Sequence, residues 1–352
     1  MPGMRRTLPM NLLFAACLLI AALFTGCKKA DDKVLNLYTW SDYFPKSVLD
    51  GFTKKTGIKV NLTTYSTNEE LEAKLGSGVS DYDLVVPSDY AVRLLILDKR
   101  LMPIDRKKIP NNSNLEPRQL GLAYDKDNQF SIPYFWGTTG LGVNKSVIKE
   151  PVDSWAVVFD PKNAGKISML KDARENFAVA LKMMGKSVNE TDPAVLQKAA
   201  DLLAGQTPLV KMYDSDSFDA TLRTGEAALV QGFNGQVAKV VAENREKFYY
   251  VVPKEGATLW VDNLAIPANS KHSDAAHAFL NYILDAQVGG EIVTAIGYAS
   301  ANQAARKFIS AEILNDPNVY TPDDVLKRCE LMEDLGQSAP VIDKLWTKLR
   351  AK

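Results

Sequence analysis

The sequence predicts an α/β protein of two similar lobes with a ligand cleft between them. Three observations carry that expectation. Strands and helices alternate with short connections from Lys33 to about Arg100, the pattern of a parallel sheet covered on both faces. The alternation resumes from about Gly140 to Glu255. No low-complexity linker separates the two stretches, so the chain is expected to cross between lobes more than once, near residues 135–140, 260–262 and 301–306. A length of 352 residues suits two domains, and 46% hydrophobic with 24% charged residues suits a soluble globular chain.

Taken in order, "VLNLYTW" (34–40) and "IKVNLTTY" (58–65) read as strands. Between them "KSVLDGFTKKTG" (46–57) has apolar residues at helical spacing and a terminal glycine as its stop. "NEELEAKLGSG" (68–78) is a second helix, "YDLVVPS" (82–88) a buried strand and "AVRLLILDKR" (91–100) a third helix. Ligands of such sheets sit at the carboxyl ends of strands, where Trp40 and Ser88 fall. Farther on, 173–185 and 192–205 read as helices, 227–233 and 248–256 as strands, and 273–296 as one long helix. In a strand at 257–266, Trp260 and Asp262 share a face, which sets a carboxylate beside an indole.

The first 27 residues stand apart from the fold. Arg5 and Arg6 precede an apolar run from Met10 to Phe24, too short for a membrane span and suited to a signal peptide. "LFTGC" then resembles a bacterial lipobox, which makes residues 1–26 a lipoprotein signal and Cys27 the lipidated new N-terminus; Phe24 departs from the usual leucine. Cys17 leaves with the signal and Cys329 is left alone, so no disulfide framework is expected. The 42 basic and 42 acidic residues give no nucleic-acid footprint.

Signatures of catalysis are missing: there is no HExxH, GxSxG, GxxxxGK[ST] or CxxC motif. His272 and His277 are spaced too far for an i, i+4 metal pair and read as solvated helix residues. No cofactor, metal site or enzymatic activity is therefore expected. What recurs is an aromatic beside a carboxylate at element ends, in "WSDY" (40–43), "PSDY" (87–90), "DARE" (172–175) and "WVD" (260–262), with Tyr298 in "IGYASAN". That pairing suits an alkylammonium ligand, because the acid binds the ammonium and the ring faces cover the methylenes. Ordinary readings stand beside it. Asp172 and Glu175 also form a capping box, Ser88 or Asp89 can cap the next helix, Trp260 can be core and Asp262 a turn residue. Tyr249 and Tyr250 match the paired tyrosines of ferric-ion binders as well as a plain strand.

Together "LYTWSDYF", "YDLVVPSDY", "SIPYFWGTTGLGVN", "DAREN", "PKEGATLWVDNLAIPANS" and "IGYASANQAARK" resemble the polyamine-binding proteins of bacterial spermidine/putrescine ABC importers, from about residue 34 to 350. The resemblance implies the type II periplasmic binding protein fold, with lobes at 33–138 plus 262–305 and at 139–261 plus 306–350. It implies a periplasmic, lipid-anchored, monomeric carrier of putrescine or spermidine that serves an ABC permease. By that resemblance Trp40, Ser41, Asp42 and Tyr43 form the first binding segment, and Ser88 and Tyr90 the second. Asp172 and Glu175 are an acid pair for the amines, Trp260 is the aromatic wall, Asp262 the main ammonium-binding acid, and Tyr298 the last aromatic. Phe233 stands where the family usually has tryptophan, and Met332 where the spermidine-type member has glutamine, which favours putrescine. A binder of ferric ion or of a cationic amino acid, and an enzyme or adhesin on the same lobes, are the competing expectations.

Overall fold

A computed structural model describes residues 33–78 and 80–351, so the signal-peptide and Cys27 expectations lie outside the described residues. Strand β1 (Val34–Trp40) leads into helix α1 (Lys46–Thr56), whose chain reverses at Gly57 with φ 74° before β2 (Lys59–Tyr65). Only glycine enters that left-handed conformation without strain, so the predicted stop is the observed one. Helix α2 (Asn68–Gly76) is capped by the Thr67 side chain, which accepts from the Glu70 N–H. Strand β3 (Leu84–Val85) is shorter than the predicted 82–88. Pro87 has no N–H for the ladder, and helix α3 (Asp89–Leu97) starts immediately after Ser88, two residues earlier than expected.

Beyond it runs β4 (Ser131–Asn144), 14 residues long and buried throughout. The second lobe adds β5 (Ile167–Met169), helices α4 (Ala173–Met183) and α5 (Pro193–Gln206), β6 (Val210–Tyr213), α6 (Phe218–Thr224), β7 (Leu229–Phe233), α7 (Asn234–Glu243) and β8 (Phe248–Val251). The chain returns through β9 (Thr258–Ala265).

Strand order is β2-β1-β3-β9-β4-β7-β5-β6. The outer strands of each lobe are parallel, as predicted. The centre is not: β3–β9, β9–β4 and β4–β7 are antiparallel. This corrects the all-parallel expectation, and the reason lies in two strands that cross between lobes in opposite directions. β4 pairs with β9 up to Thr138, opposite Leu259, and from Thr139, opposite Phe233, it pairs with β7 and then β8. One unbroken strand thus belongs to both sheets.

The run predicted as one helix over 273–296 is two, α8 (Ser273–Ile283) and α9 (Ala286–Ile296). Asp285 breaks it by accepting from the N–H groups of Gln287 (2.9 Å) and Val288 (3.2 Å), an N-cap that competes with continuing the helix. The histidines are not solvated either. His277 is buried and its Nε2 accepts from the Asp105 N–H at 2.9 Å, while His272 Nδ1 sits 2.9 Å from buried Asp83. Both tie loops of the first lobe together. The chain closes through β10 (Ala299–Ser300), β11 (Glu330–Leu331) and helix α10 (Ala339–Arg350), which packs Ile342 and Leu349 against Phe177, Leu181 and Leu203 of α4 and α5.

Separate apolar cores lie on the two faces of the first-lobe sheet, around Phe52 and Phe279 on one side and Tyr65 and Leu71 on the other. The second lobe has its own, around Trp155, Phe177 and Phe218. A cleft is left where the cores stop, over the crossing strands. Among the described residues no helix is long and apolar enough to cross a membrane.

Candidate binding site

Six elements meet in that cleft, five of them by an end. Trp40 closes β1, and Ser41 and Tyr43 follow it; Ser88 and Tyr90 stand at the start of α3; Asp172 and Glu175 stand at the start of α4; Phe233 ends β7; Trp260 and Asp262 lie on β9; Tyr298 precedes β10. All eleven line one cavity of ≈ 840 Å³, mouth included. The exception is Asp42. It adopts φ 57°, its side chain is exposed, and it is not among the lining residues, because the left-handed turn that brings Tyr43 inward sends Asp42 out. That position of the first binding segment is corrected.

Asp262 is buried and held by two hydroxyls. Ser88 Oγ donates to Oδ1 at 2.6 Å and the Tyr43 hydroxyl donates to Oδ2. Ser88 occupies the N-cap position of α3 but makes no capping hydrogen bond with its side chain, so its hydroxyl is committed to Asp262 rather than to the helix. Burial pushes the Asp262 carboxyl up to about 6, against the two hydroxyls that favour its ionised form.

Helix α4 opens on the other side. Asp172 caps it, with Oδ1 accepting from the Glu175 N–H at 3.0 Å, so half of the capping box is formed. The other half is not. Glu175 turns away from the helix end and accepts from Thr139 Oγ1 (2.9 Å) and Thr258 Oγ1 (2.8 Å to Oε2). Burial, reinforced by Asp172, pushes Glu175 up to about 8; burial and the Glu69 charge push Asp172 up to about 7. Glu175 is buried with no cation beside it, whereas half-buried Asp172 is only partly offset by the Arg174 charge.

Rings form the walls. Trp260 meets Tyr298 (centroids 5.2 Å, planes at 86°) and Phe233 (5.8 Å, 84°), both edge to face. Trp40 lies 4.6 Å from Tyr65 and donates from Nε1 to the Val86 carbonyl at 2.9 Å. The Trp260 Nε1 finds no partner among the described residues. Space for this wall is made by Gly137 of β4, where a Cβ would come within 2.5 Å of the Trp260 ring.

Sequence reasoning passed over several lining groups. Asp89 is buried, takes the Val261 N–H at 3.2 Å and is pushed up to about 8 by burial. Its place in "PSDY" was a usable signal, but the helix-capping reading absorbed it. Ser66 and Asp216 touch across the mouth, Oγ to Oδ1 at 2.7 Å, and had no signal, being single polar residues in loops. Met332, by contrast, was singled out in the sequence, and it lines the cavity beside Tyr90 within an apolar cluster that joins the lobes. Among the described residues, five carboxylates line the cleft (Asp89, Asp172, Glu175, Asp216 and Asp262) and no Lys, Arg or His does. Arg174 stacks on the Tyr90 ring face, donates to the Glu333 carbonyl and partly offsets Asp172, while Lys171 pairs with Asp216 at 3.3 Å.

Tyr249 and Tyr250 take no part. Tyr250 donates to the Thr138 carbonyl at 2.9 Å, Tyr249 accepts from the Val152 N–H at 3.0 Å, and neither lines the cavity. Among the described residues no group of three His, Cys, Asp or Glu could hold a metal ion.

Residues 47–321 match the family of bacterial extracellular solute-binding proteins. The chain belongs to that family. This solute-binding protein is 38% identical to the spermidine/putrescine-binding periplasmic protein of Escherichia coli strain K12, over 94% of this chain and 95% of that one. It is 36% identical to the putrescine-binding periplasmic protein PotF of the same organism, with the same shares covered. Among solved structures, the TpPotD lipoprotein of Treponema pallidum superposes with a TM-score of 0.82 at 28% identity, covering 91% of this chain and 100% of that one. The spermidine/putrescine substrate-binding protein PotD of Streptococcus pneumoniae gives 0.76 at 30%, covering 91% and 99%. The solute-binding protein therefore has the two-lobed fold of periplasmic binding proteins, with the cleft between its lobes.

Proposed function

We propose that this protein is a lipid-anchored extracytoplasmic receptor that captures polyamines, putrescine and spermidine, and hands them to an ABC importer. One observation carries the reading: a cleft lined, among the described residues, by five carboxylates, no cation and a wall of edge-packed rings. Asp216 is paired with Lys171 at 3.3 Å, and the buried acids Asp262 and Glu175 are left to a charge that a diamine brings. Asp262 takes one ammonium with Ser88 and Tyr43 holding it in place, and Glu175 with Asp172 takes another. The faces of Trp40, Trp260, Phe233 and Tyr298 lie along the methylenes, each cation–π contact contributing about 0.5–2 kcal/mol. Apolar Met332 lines the wall and favours a short diamine over a longer triamine. The names of the relatives, polyamine binders placed in the periplasm, support this reading, and that of the Treponema lipoprotein supports the anchor at Cys27. On the same reading the chain is a monomeric carrier rather than an enzyme. Its lobes are residues 33–138 plus 262–305 and 139–261 plus 306–350.

Calorimetric titration with putrescine, spermidine and spermine tests the assignment. Putrescine should bind with a one-to-one stoichiometry and more tightly than spermine. Absence of heat with all three would overturn it.

A further inference from the structure

Below the cavity floor, Glu175 is gripped by hydroxyls that do not themselves line the cleft. Thr139 Oγ1 lies 2.9 Å from Oε1, and Thr258 Oγ1 lies 3.0 Å from Oε1 and 2.8 Å from Oε2. Both threonines are 1% exposed. They belong to β4 and β9, the two strands that run between the lobes, and Thr139 is the residue at which β4 exchanges β9 for β7 as its partner. A buried strand threonine can satisfy its hydroxyl on a nearby carbonyl; here both are aimed at one carboxylate instead. Each donates a single proton, and a hydrogen bond donated to a carboxylate is stronger than one donated to the neutral acid, so both favour the ionised form. Valine at either position would keep the shape and leave the acid without that donor.

We propose that Thr139 and Thr258 are positioning residues for the ligand: their hydroxyls orient the Glu175 carboxyl toward the cleft and favour the ionised form that a bound ammonium requires. The proposal rests on the polyamine reading for its consequence in affinity, but not for its consequence in Glu175 itself. Other charged groups that face Glu175 work against ionisation or stand aside. Asp172 at the same helix start and Asp89 on α3 both raise it, the Tyr250 hydroxyl on β8 is within its field, and Arg174 is engaged by Tyr90 and Glu333. The two hydroxyls are thus the groups that oppose burial at this position, which is already pushed up to about 8.

Putrescine titrations at pH 7 and pH 9 on the wild type, Thr139→Val, Thr258→Val and Thr258→Ser test this. Each valine variant should bind about tenfold more weakly at pH 7, the effect of one hydrogen bond to a charged group. That loss should shrink by at least about threefold at pH 9, where the carboxyl ionises unaided and the ligand amines, near pKa 10, stay protonated. Thr258→Ser should bind as the wild type. Asp262→Asn serves as the reference, since an amide cannot ionise and its loss should be the same at both pH values. A valine loss equal at both pH values, or none, would overturn the proposal, the first result marking a packing role only. Carbon-13 titration of the Glu175 carboxyl in the ligand-free protein supplies a readout independent of any ligand. Its midpoint should rise by about one unit in Thr258→Val; an unchanged midpoint refutes the proposal even where no diamine binds, while a wild type that ignores diamines refutes the polyamine reading alone.

Discussion

Asp262 concentrates the chemistry of the cleft because it is buried, doubly hydrogen-bonded and without a countercharge. Replacing it with asparagine keeps the shape and most of the hydrogen bonding but removes the charge. Asp262→Asn should weaken putrescine binding by at least about tenfold, which corresponds to about 1.4 kcal/mol, with an unchanged circular dichroism spectrum; calorimetry that finds wild-type affinity would remove Asp262 from the site. This residue was legible in advance because the period of a strand puts 260 and 262 on one face, and both line the cavity. Glu175 was half legible. Its position three after Asp172 announced a capping box, and only the Asp172 half exists, since three-dimensional neighbours Thr139 and Thr258 capture the glutamate. Asp42 was misread for a simpler reason: three residues of a turn cannot all face inward, and its φ of 57° decides which one leaves.

Elements were legible where a local signal closed them. Gly57 ended α1, and Asp192 with Pro193 began α5. The α8–α9 break carried the same kind of signal at Asp285, outweighed by the apolar periodicity on both sides. Its importance can be measured. Asp285→Ala removes an acceptor for two N–H groups and should lower the unfolding free energy by about 1 kcal/mol, the usual cost of a lost N-cap. Putrescine affinity should stay unchanged, because Asp285 does not line the cleft; chemical denaturation and titration of the same sample check both halves. Strand pairing was the least legible feature. A lobe crossing near 135–140 was expected, but no local pattern reveals that β4 changes partners at Thr138–Thr139, which depends on where β9 and β7 arrive from far along the chain.

On the scale of the whole molecule, the cleft couples ligand binding to protonation and to stability. Asp262 is pushed up to about 6, Asp172 to about 7, and Glu175 and Asp89 to about 8, from ordinary values of 3.8 for Asp and 4.5 for Glu. Between those ordinary values and pH 8 the ligand-free folded protein therefore holds more protons than the unfolded chain. Stability from these groups falls as pH rises through that window, the reverse of a salt-bridged carboxylate. A bound diamine supplies the missing cations, draws the carboxyls back toward their ionised form and releases protons. Ligand affinity should accordingly increase from pH 5.5 to pH 8, and so should the rise in Tm at a fixed excess of putrescine, since stabilisation by a ligand follows its concentration relative to Kd. Scanning calorimetry with and without putrescine at pH 5.5, 6.5, 7.5 and 8 would show the separation between the two Tm curves widening. Titrations in buffers of different ionisation enthalpy would show proton release at pH 6.5. A separation that does not change between pH 5.5 and pH 8, with binding heat independent of the buffer, would mean that the carboxyls keep one protonation state through binding. The coupling of capture to proton release would then be refuted.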